Sequence, residues 1–291
     1  MAIDFSIFDK ALAIDAVQLA LNDGEQTSID ILRLDQIHGT ISGNKWFKLK
    51  YNLLEAENKK AASILSFGGA YSNHLHALAY AGRIFNIKTI GIVRGEEVSN
   101  PTLQDCKNWG MELHFVSRTD YRKKTEASFL QNLQNSYPGT YIIPEGGDNE
   151  LGQKGSREIL QPVDTSTYDV LCCSIGTGTT ISGLAAFFEN EVWGFAPFKN
   201  AHSLNEKLSQ SIPQMRYIDD YHFGGFGKST PELLAYASNF YKQHQIELDK
   251  VYTAKMFFGL SAILKDSLRN RNRKILVVHT GGVQGNRLSN S

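Results

Sequence analysis

From about residue 62 onward, apolar runs of strand length alternate with longer stretches whose apolar residues recur at helical spacing. This is the pattern of a mainly parallel sheet covered by helices. Residues 62–67 predict a buried strand, 73–85 a helix and 88–94 the next strand. Residues 111–116 and 140–143 predict two more strands, separated by the polar, helix-compatible 120–134. Residues 151–160 read as helix, 169–173 as strand and 182–188 as helix, with a strand-like run at 192–196. Residues 231–244 carry helical spacing with a proline at the first position, where a missing N–H costs nothing. A further helix is predicted at 255–268 and a last buried strand at 274–279. Upstream, a strand-like run at 29–35 precedes a helix-like run at 46–56. Residues 200–228 have no readable period, and the Phe-Gly-Gly-Phe-Gly at 223–227 predicts a glycine-rich loop.

A chain of 291 residues can bury a large core and is expected to form one or two domains. Lys plus Arg and Asp plus Glu both number 30, and no block of five like charges occurs. That balance argues against nucleic acid or a membrane surface as partner. Cys106 stands alone and Cys172 and Cys173 are adjacent in an apolar run, so reduced, buried thiols are expected, with no metal-type spacing. Residues 1–10 carry Asp4 and Asp9 and no long apolar stretch, from which a cytoplasmic location is expected.

Open α/β sheets bind ligands beyond the carboxyl ends of their strands, so the turns leaving the strands are where chemistry is expected. After 169–173 come Ser174, Ile175, Gly176, Thr177, Gly178, Thr179 and Thr180. Glycines let backbone N–H groups converge and the hydroxyls add donors, which makes a phosphate cup. A dinucleotide loop would need glycine where Ile181 stands and an acidic residue after 192–196, and a nucleoside-triphosphate loop would need Gly-Lys-Ser or Gly-Lys-Thr. A single phosphate monoester fits best, with a ligand-free tight turn as the competing reading. After 62–67, Gly68, Gly69, Ala70, Tyr71, Ser72, Asn73 and His74 lead into a helix. Ser72 or Asn73 is expected to be its N-cap, and the free N–H groups behind it suit a carboxylate; a cap without ligand is the alternative. His74 and His76 sit two apart and face different sides of a helix, so no metal pair is expected. Ser42, Gly43, Asn44 and Lys45, at a strand-to-helix break, place an amine at the crevice mouth. Thr280, Gly281, Gly282 and Val283 come after the last strand, and Val251, Tyr252, Thr253 and Ala254 precede a helix. A phosphate cup, a carboxylate site and an amine between them are the parts that hold pyridoxal phosphate beside an amino-acid substrate.

Gly43-Asn44-Lys45, Lys48-Leu49, Gly68-Gly69, Ser72-Asn73, Thr177-Gly178-Thr179-Thr180, Tyr252 with Lys255, and His279 with Gly281-Gly282-Val283 resemble one family in order and spacing. It is the 1-aminocyclopropane-1-carboxylate deaminase and D-cysteine desulfhydrase family of pyridoxal-phosphate enzymes, with the tryptophan-synthase-β-like fold (fold type II). The resemblance runs from about residue 33 to 283. It implies a two-lobed α/β protein, with 1–45 and 149–291 as the large cofactor-binding domain and 46–148 as the small one, and it implies a homodimer. Lys45 would be the Schiff-base lysine and Asn73 would bond the cofactor's ring oxygen. Gly176, Thr177, Gly178, Thr179 and Thr180 would hold the phosphate, with Lys48, Thr253 and Thr280 also lining the cofactor. Ser72, Asn73, His74 and Tyr252 would meet the substrate, with Ser72 sharing in proton transfer and Tyr252 over the substrate side chain.

Within that family, cyclopropane deaminases are expected to carry glutamate where this chain has Thr253, and leucine where it has Thr280. The two threonines are similar to the desulfhydrase pattern. A carboxylate near the pyridine nitrogen strengthens the electron sink that carbon–carbon cleavage needs, whereas a hydroxyl suffices to expel a thiolate. The resemblance therefore implies a lyase that converts D-cysteine to pyruvate, ammonia and sulfide, the alternatives being the cyclopropane deaminase or a cofactor-binding protein without turnover. For Lys45 to act as a base near neutral pH, desolvation and neighbouring charge such as Lys48 must lower its pKa. Phe47, Tyr71, Ala254 and Phe258 depart from the family pattern and bear on substrate more than on cofactor.

Overall fold

A computed structural model describes residues 3–22 and 24–287. β1 (Ile14–Ala20) and β2 (Gln26–Arg33) pair antiparallel, and a short connection through Gly43 leads into α1 (Asn44–Asn58). The chain then builds β3 (Ser63–Gly68), α2 (Asn73–Phe85), β4 (Thr89–Arg94), α3 (Pro101–Asn108) and β5 (Glu112–Val116). α4 (Arg118–Tyr121), α5 (Ala127–Ser136) and β6 (Thr140–Ile143) come after them. These four strands form a parallel sheet in the order β5-β4-β3-β6. Every residue of β3 is buried, as a parallel strand covered on both faces requires.

α6 (Glu150–Arg157), β7 (Val170–Ser174), α7 (Thr179–Ala185), β8 (Glu191–Phe195), α8 (His202–Ser211) and β9 (Met215–Ile218) come next. α9 (Pro231–His244), α10 (Thr253–Asp266), α11 (Leu268–Arg271) and β10 (Ile275–His279) complete the chain. The second sheet has six strands in the order β1-β2-β10-β7-β8-β9, parallel apart from β1. The α/β class with mainly parallel sheets is as expected. Its last strand lies between β2 and β7, so both ends of the chain meet at the centre of one sheet.

Successive residues on β10 and β7 face opposite layers. Val278 and Cys173 join Leu49, Leu53, Leu75 and Val93 in a core that runs across to the smaller sheet. Val277 and Cys172 join Trp193, Phe257 and Leu260 beneath α10. All three cysteines are free and buried, as the sequence predicts. Among the described residues, no helix is long and apolar enough to cross a membrane.

Several boundaries differ from the sequence reading. α1 begins at Asn44, so Lys45 lies within its first turn and not ahead of it. α7 begins at Thr179 and ends at Ala185, because Gly178, at φ 93°, turns the chain into the helix. α10 begins at Thr253, where the Asp249 carboxylate caps its first turn. The segment 120–134 divides into α4 and α5, with the break at residues 122–126. The unreadable 200–228 contains α8 and β9.

Glycines bring three helices unusually close. A Cβ on Gly155 of α6 would lie 1.8 Å from the Phe47 carbonyl oxygen of α1, and one on Gly183 of α7 would lie 2.5 Å from Ser156 Cβ. This stack sets the start of α1 beside the start of α7.

Candidate active site

The end of β10 fixes the start of α1. Gly43 has φ 72°, and a Cβ there would overlap the Thr280 carbonyl oxygen at 1.8 Å, so only glycine fits. The Asn44 N–H donates to that same oxygen at 3.3 Å. Lys45 is half-buried, and its Nζ donates to Asn44 Oδ1 at 2.5 Å. Asn44 Nδ2 donates to Thr180 Oγ1 at 2.7 Å, which links the amine to the loop after β7.

That loop is as hydroxyl-rich in space as in sequence. Thr177 and Thr179 share a hydrogen bond of 2.8 Å, and Thr179 Oγ1 donates to Asp148 Oδ1 at 2.7 Å. Lys48 is buried, one turn after Lys45, and its Nζ donates to Gly146 O at 2.8 Å and to Thr177 Oγ1 at 3.4 Å. Desolvation lowers Lys45 to about 8, against the pull of Asp249. Lys48 falls to about 7, first through burial and then through the charge of Lys45. The expected drop in Lys45 therefore comes from burial, and the mutual repulsion is felt at Lys48.

On the opposite wall, Ser72 caps α2 and accepts the Leu75 N–H at 3.2 Å. Asn73 Oδ1 accepts from Gln284 Nε2 at 2.6 Å, and Gly282 lies so near that a Cβ would meet Asn73 Nδ2 at 2.5 Å. His74 is buried with its Nε2 3.0 Å from Ser66 Oγ. The Ser66 hydrogen goes to Ile143 O at 2.8 Å, so Nε2 carries the imidazole proton and Nδ1 is a bare acceptor without a partner. Burial, then Lys48 and Lys45, push this histidine down to about 3 and keep it neutral. His76 points elsewhere, to Asp105.

The third wall is the start of α10. The Tyr252 ring lies against Gly176, where a Cβ would be 3.6 Å from it, and burial raises the Tyr252 hydroxyl well above its ordinary value. Thr280 is buried at the end of β10. Thr253 is fully buried, and its hydroxyl donates to Asp249 Oδ2 at 2.9 Å while accepting the Asp249 N–H at 2.8 Å. Asp249 also accepts the N–H groups of Val251, Tyr252 and Thr253 at 2.9, 2.8 and 2.9 Å. The Thr253 hydroxyl is thus tied on both its donor and acceptor sides to Asp249.

Sequence reading missed Asp249, Asp148 and Gln284 as neighbours of the site. Only Asp249 left a signal, an acidic residue just ahead of a helix start. The donor set fits pyridoxal phosphate. Lys48 and the hydroxyls of Thr177, Thr179 and Thr180 suit a phosphate ester, and the Lys45 amine suits an aldehyde. His74 Nδ1, beside this donor set, is a buried acceptor that no protein donor satisfies.

The family model described as pyridoxal-phosphate dependent enzyme matches residues 29–281. A Thermotoga maritima protein provisionally named 1-aminocyclopropane-1-carboxylate deaminase is 32% identical over 269 residues, covering 84% of this chain and 85% of that protein. The mitochondrial bifunctional D-cysteine desulfhydrase/1-aminocyclopropane-1-carboxylate deaminase of Arabidopsis thaliana is 27% identical, covering 89% of this chain and 73% of its own. A crystal structure described as an ACC deaminase homologue superposes with a TM-score of 0.81 at 25% identity, covering 96% of this chain and 91% of that one. The chain belongs to the family of pyridoxal-phosphate-dependent enzymes, among relatives named for 1-aminocyclopropane-1-carboxylate deaminase and D-cysteine desulfhydrase.

Proposed function

We propose that this chain is a lyase that eliminates a leaving group from the β-carbon of a small amino acid, with D-cysteine as substrate and pyruvate, ammonia and sulfide as products. The observation that carries the reading is the pair of buried threonines, Thr253 at the start of α10 and Thr280 just after β10. In this reading the group that the start of α10 offers the cofactor is the Thr253 hydroxyl, itself hydrogen-bonded to the Asp249 carboxylate. Such a neutral contact favours expulsion of a good leaving group over ring opening.

Pyridoxal phosphate, when bound, supplies an aldehyde for the substrate's amine and an electron sink for its α-carbon. The Lys45 amine would tether that aldehyde and, as a free amine, would be the base that takes the α-proton at Nζ. Its lowered pKa of about 8 leaves a useful fraction unprotonated at neutral pH. Lys48 and the hydroxyls of Thr177, Thr179 and Thr180 hold the phosphate, whose negative charge offsets the cost of burying Lys48. Ser72 and the first turn of α2 receive the substrate carboxylate. Tyr252, kept protonated by burial, lies over the side chain that leaves.

The name of the Thermotoga relative favours a second reading, deamination of the cyclopropane amino acid itself. Incubating the pure protein with D-cysteine, D-serine, L-cysteine and 1-aminocyclopropane-1-carboxylate, and measuring α-keto acid and sulfide, separates the two. Pyruvate and sulfide from D-cysteine are expected, with a loss of about 1,000-fold or more in Lys45→Ala. Keto acid from the cyclopropane alone, or from no substrate, rejects the proposal.

A further inference from the structure

Lys255 lies on α10, three residues after Tyr252, and is only 2% exposed. Its Nζ donates to His222 O at 2.8 Å, to Gly225 O at 2.8 Å and to Pro197 O at 3.2 Å. An ammonium group has three N–H donors, so all are used, and all on loop carbonyls. His222 and Gly225 belong to the glycine-rich segment after β9, in which Phe223, Gly224, Gly225 and Gly227 take φ values of 51°, 90°, 115° and 70°. That segment has two aromatic residues with opposite fates. Phe223 turns inward, edge-on to Phe258 at 4.8 Å. Phe226 is 52% exposed, yet meets the Tyr252 ring edge-on at 5.8 Å. Tyr252 in turn faces Gly176, so Phe226, Tyr252 and the phosphate loop form one continuous wall.

We propose that Lys255 is a positioning residue that pins the 222–227 segment so that Phe226 closes the crevice behind Tyr252 and limits the size of the substrate side chain. The proposal rests on reading the crevice as an amino-acid site. A buried ammonium is costly unless its donors are satisfied, and the three carbonyls satisfy this one. His222 O also accepts the Gly225 N–H at 3.0 Å and Gly225 O the Lys228 N–H at 3.1 Å, so Lys255 ties both turns of the loop to α10. Desolvation lowers Lys255 to about 8 against the pull of Asp249.

The test uses the holoenzyme with D-cysteine and with S-ethyl-D-cysteine, which carries two more carbons on the leaving sulfur. Phe226→Ala, at an exposed position, is expected to raise kcat/KM for the ethyl substrate relative to D-cysteine by about tenfold, while the visible cofactor band stays unchanged. Lys255→Met should move the same ratio in the same direction, chiefly through KM, and should speed chymotryptic cutting at Phe226. An unchanged ratio in Phe226→Ala overturns the proposal, as does an equal loss for both substrates in Lys255→Met. If the wild type retains its cofactor band but turns over neither substrate, the D-cysteine reading fails separately. The protease rates then decide the latch, and equal cutting of wild type and Lys255→Met refutes it.

Discussion

Water withdrawn from the Lys45 amine favours its neutral form, and the carboxylate of Asp249 pulls the other way, with about 8 as the outcome. Below that pH the free amine grows about tenfold per unit; above it, it levels off. Stopped-flow absorbance should therefore show the apoprotein capturing pyridoxal phosphate at a rate that rises with pH through about 8. Asp249→Asn removes the opposing charge and should shift that midpoint downward. A midpoint at the ordinary lysine value of 10.5 would contradict the burial of this amine. The same shift bears on stability. Between about 8 and 10.5 the unfolded chain holds a proton at Lys45 that the folded chain has lost, so this residue makes the apoprotein more stable as pH rises through that window. Lys45 and the threonine loop could be placed at strand-to-helix turns from their glycines and hydroxyls, and the family resemblance, more than either motif, joined them into one candidate site. Asp249 showed only as an acidic residue ahead of a helix, since its tie to Thr253 exists only once the turn at 249–252 has formed.

Elements were legible where their ends carry chemistry. α2 and α9 match the sequence reading end to end, with Ser72 and Thr230 as caps and Asn86 and Gln245 in the left-handed region at their exits. α8 buries only Leu208, so it has no apolar face to betray it. β1 was missed because four of its seven residues are exposed and two buried, which leaves no continuous apolar run. Helix contact distances were invisible too, although Gly155 sets one of them. Gly155→Ala places a methyl 1.8 Å from the Phe47 carbonyl oxygen, and α1 must move away from α6. A loss of roughly 2–3 kcal/mol in urea unfolding is expected, with weaker cofactor binding, because α1 carries both Lys45 and Lys48. Gly39→Ala, with nothing within 4 Å, is the control and should be neutral.

Across the whole molecule, the crevice is assembled from both sheets: Ser72 and Asn73 come after β3, Thr177–Thr180 after β7 and Thr280 after β10. The alternation of elements made the α/β class legible, but the insertion of β10 between β2 and β7 has no local signature, because strand order is set by packing that spans the chain. A ligand bound by both sheets stabilises them together. At a hundredfold excess over Kd the cofactor should add about 2.7 kcal/mol, or roughly 4–5 °C in Tm for a chain of this size. Calorimetry of holo and apo forms checks this, and Lys45→Ala should lose most of the rise while inorganic phosphate still gives a small one. The burial of the three cysteines has a further consequence for a protein proposed to release sulfide. Sulfide attacks disulfides, and oxidised thiols trap it. Cys106 and Cys173 are held at about 12 and Cys172 well above its ordinary value, all three out of water and unpaired. The fold thus offers sulfide no disulfide to cut, and it keeps its thiols protonated and away from the oxidants that would have to act before sulfide could be trapped, a built-in tolerance to the gas such a reaction would release.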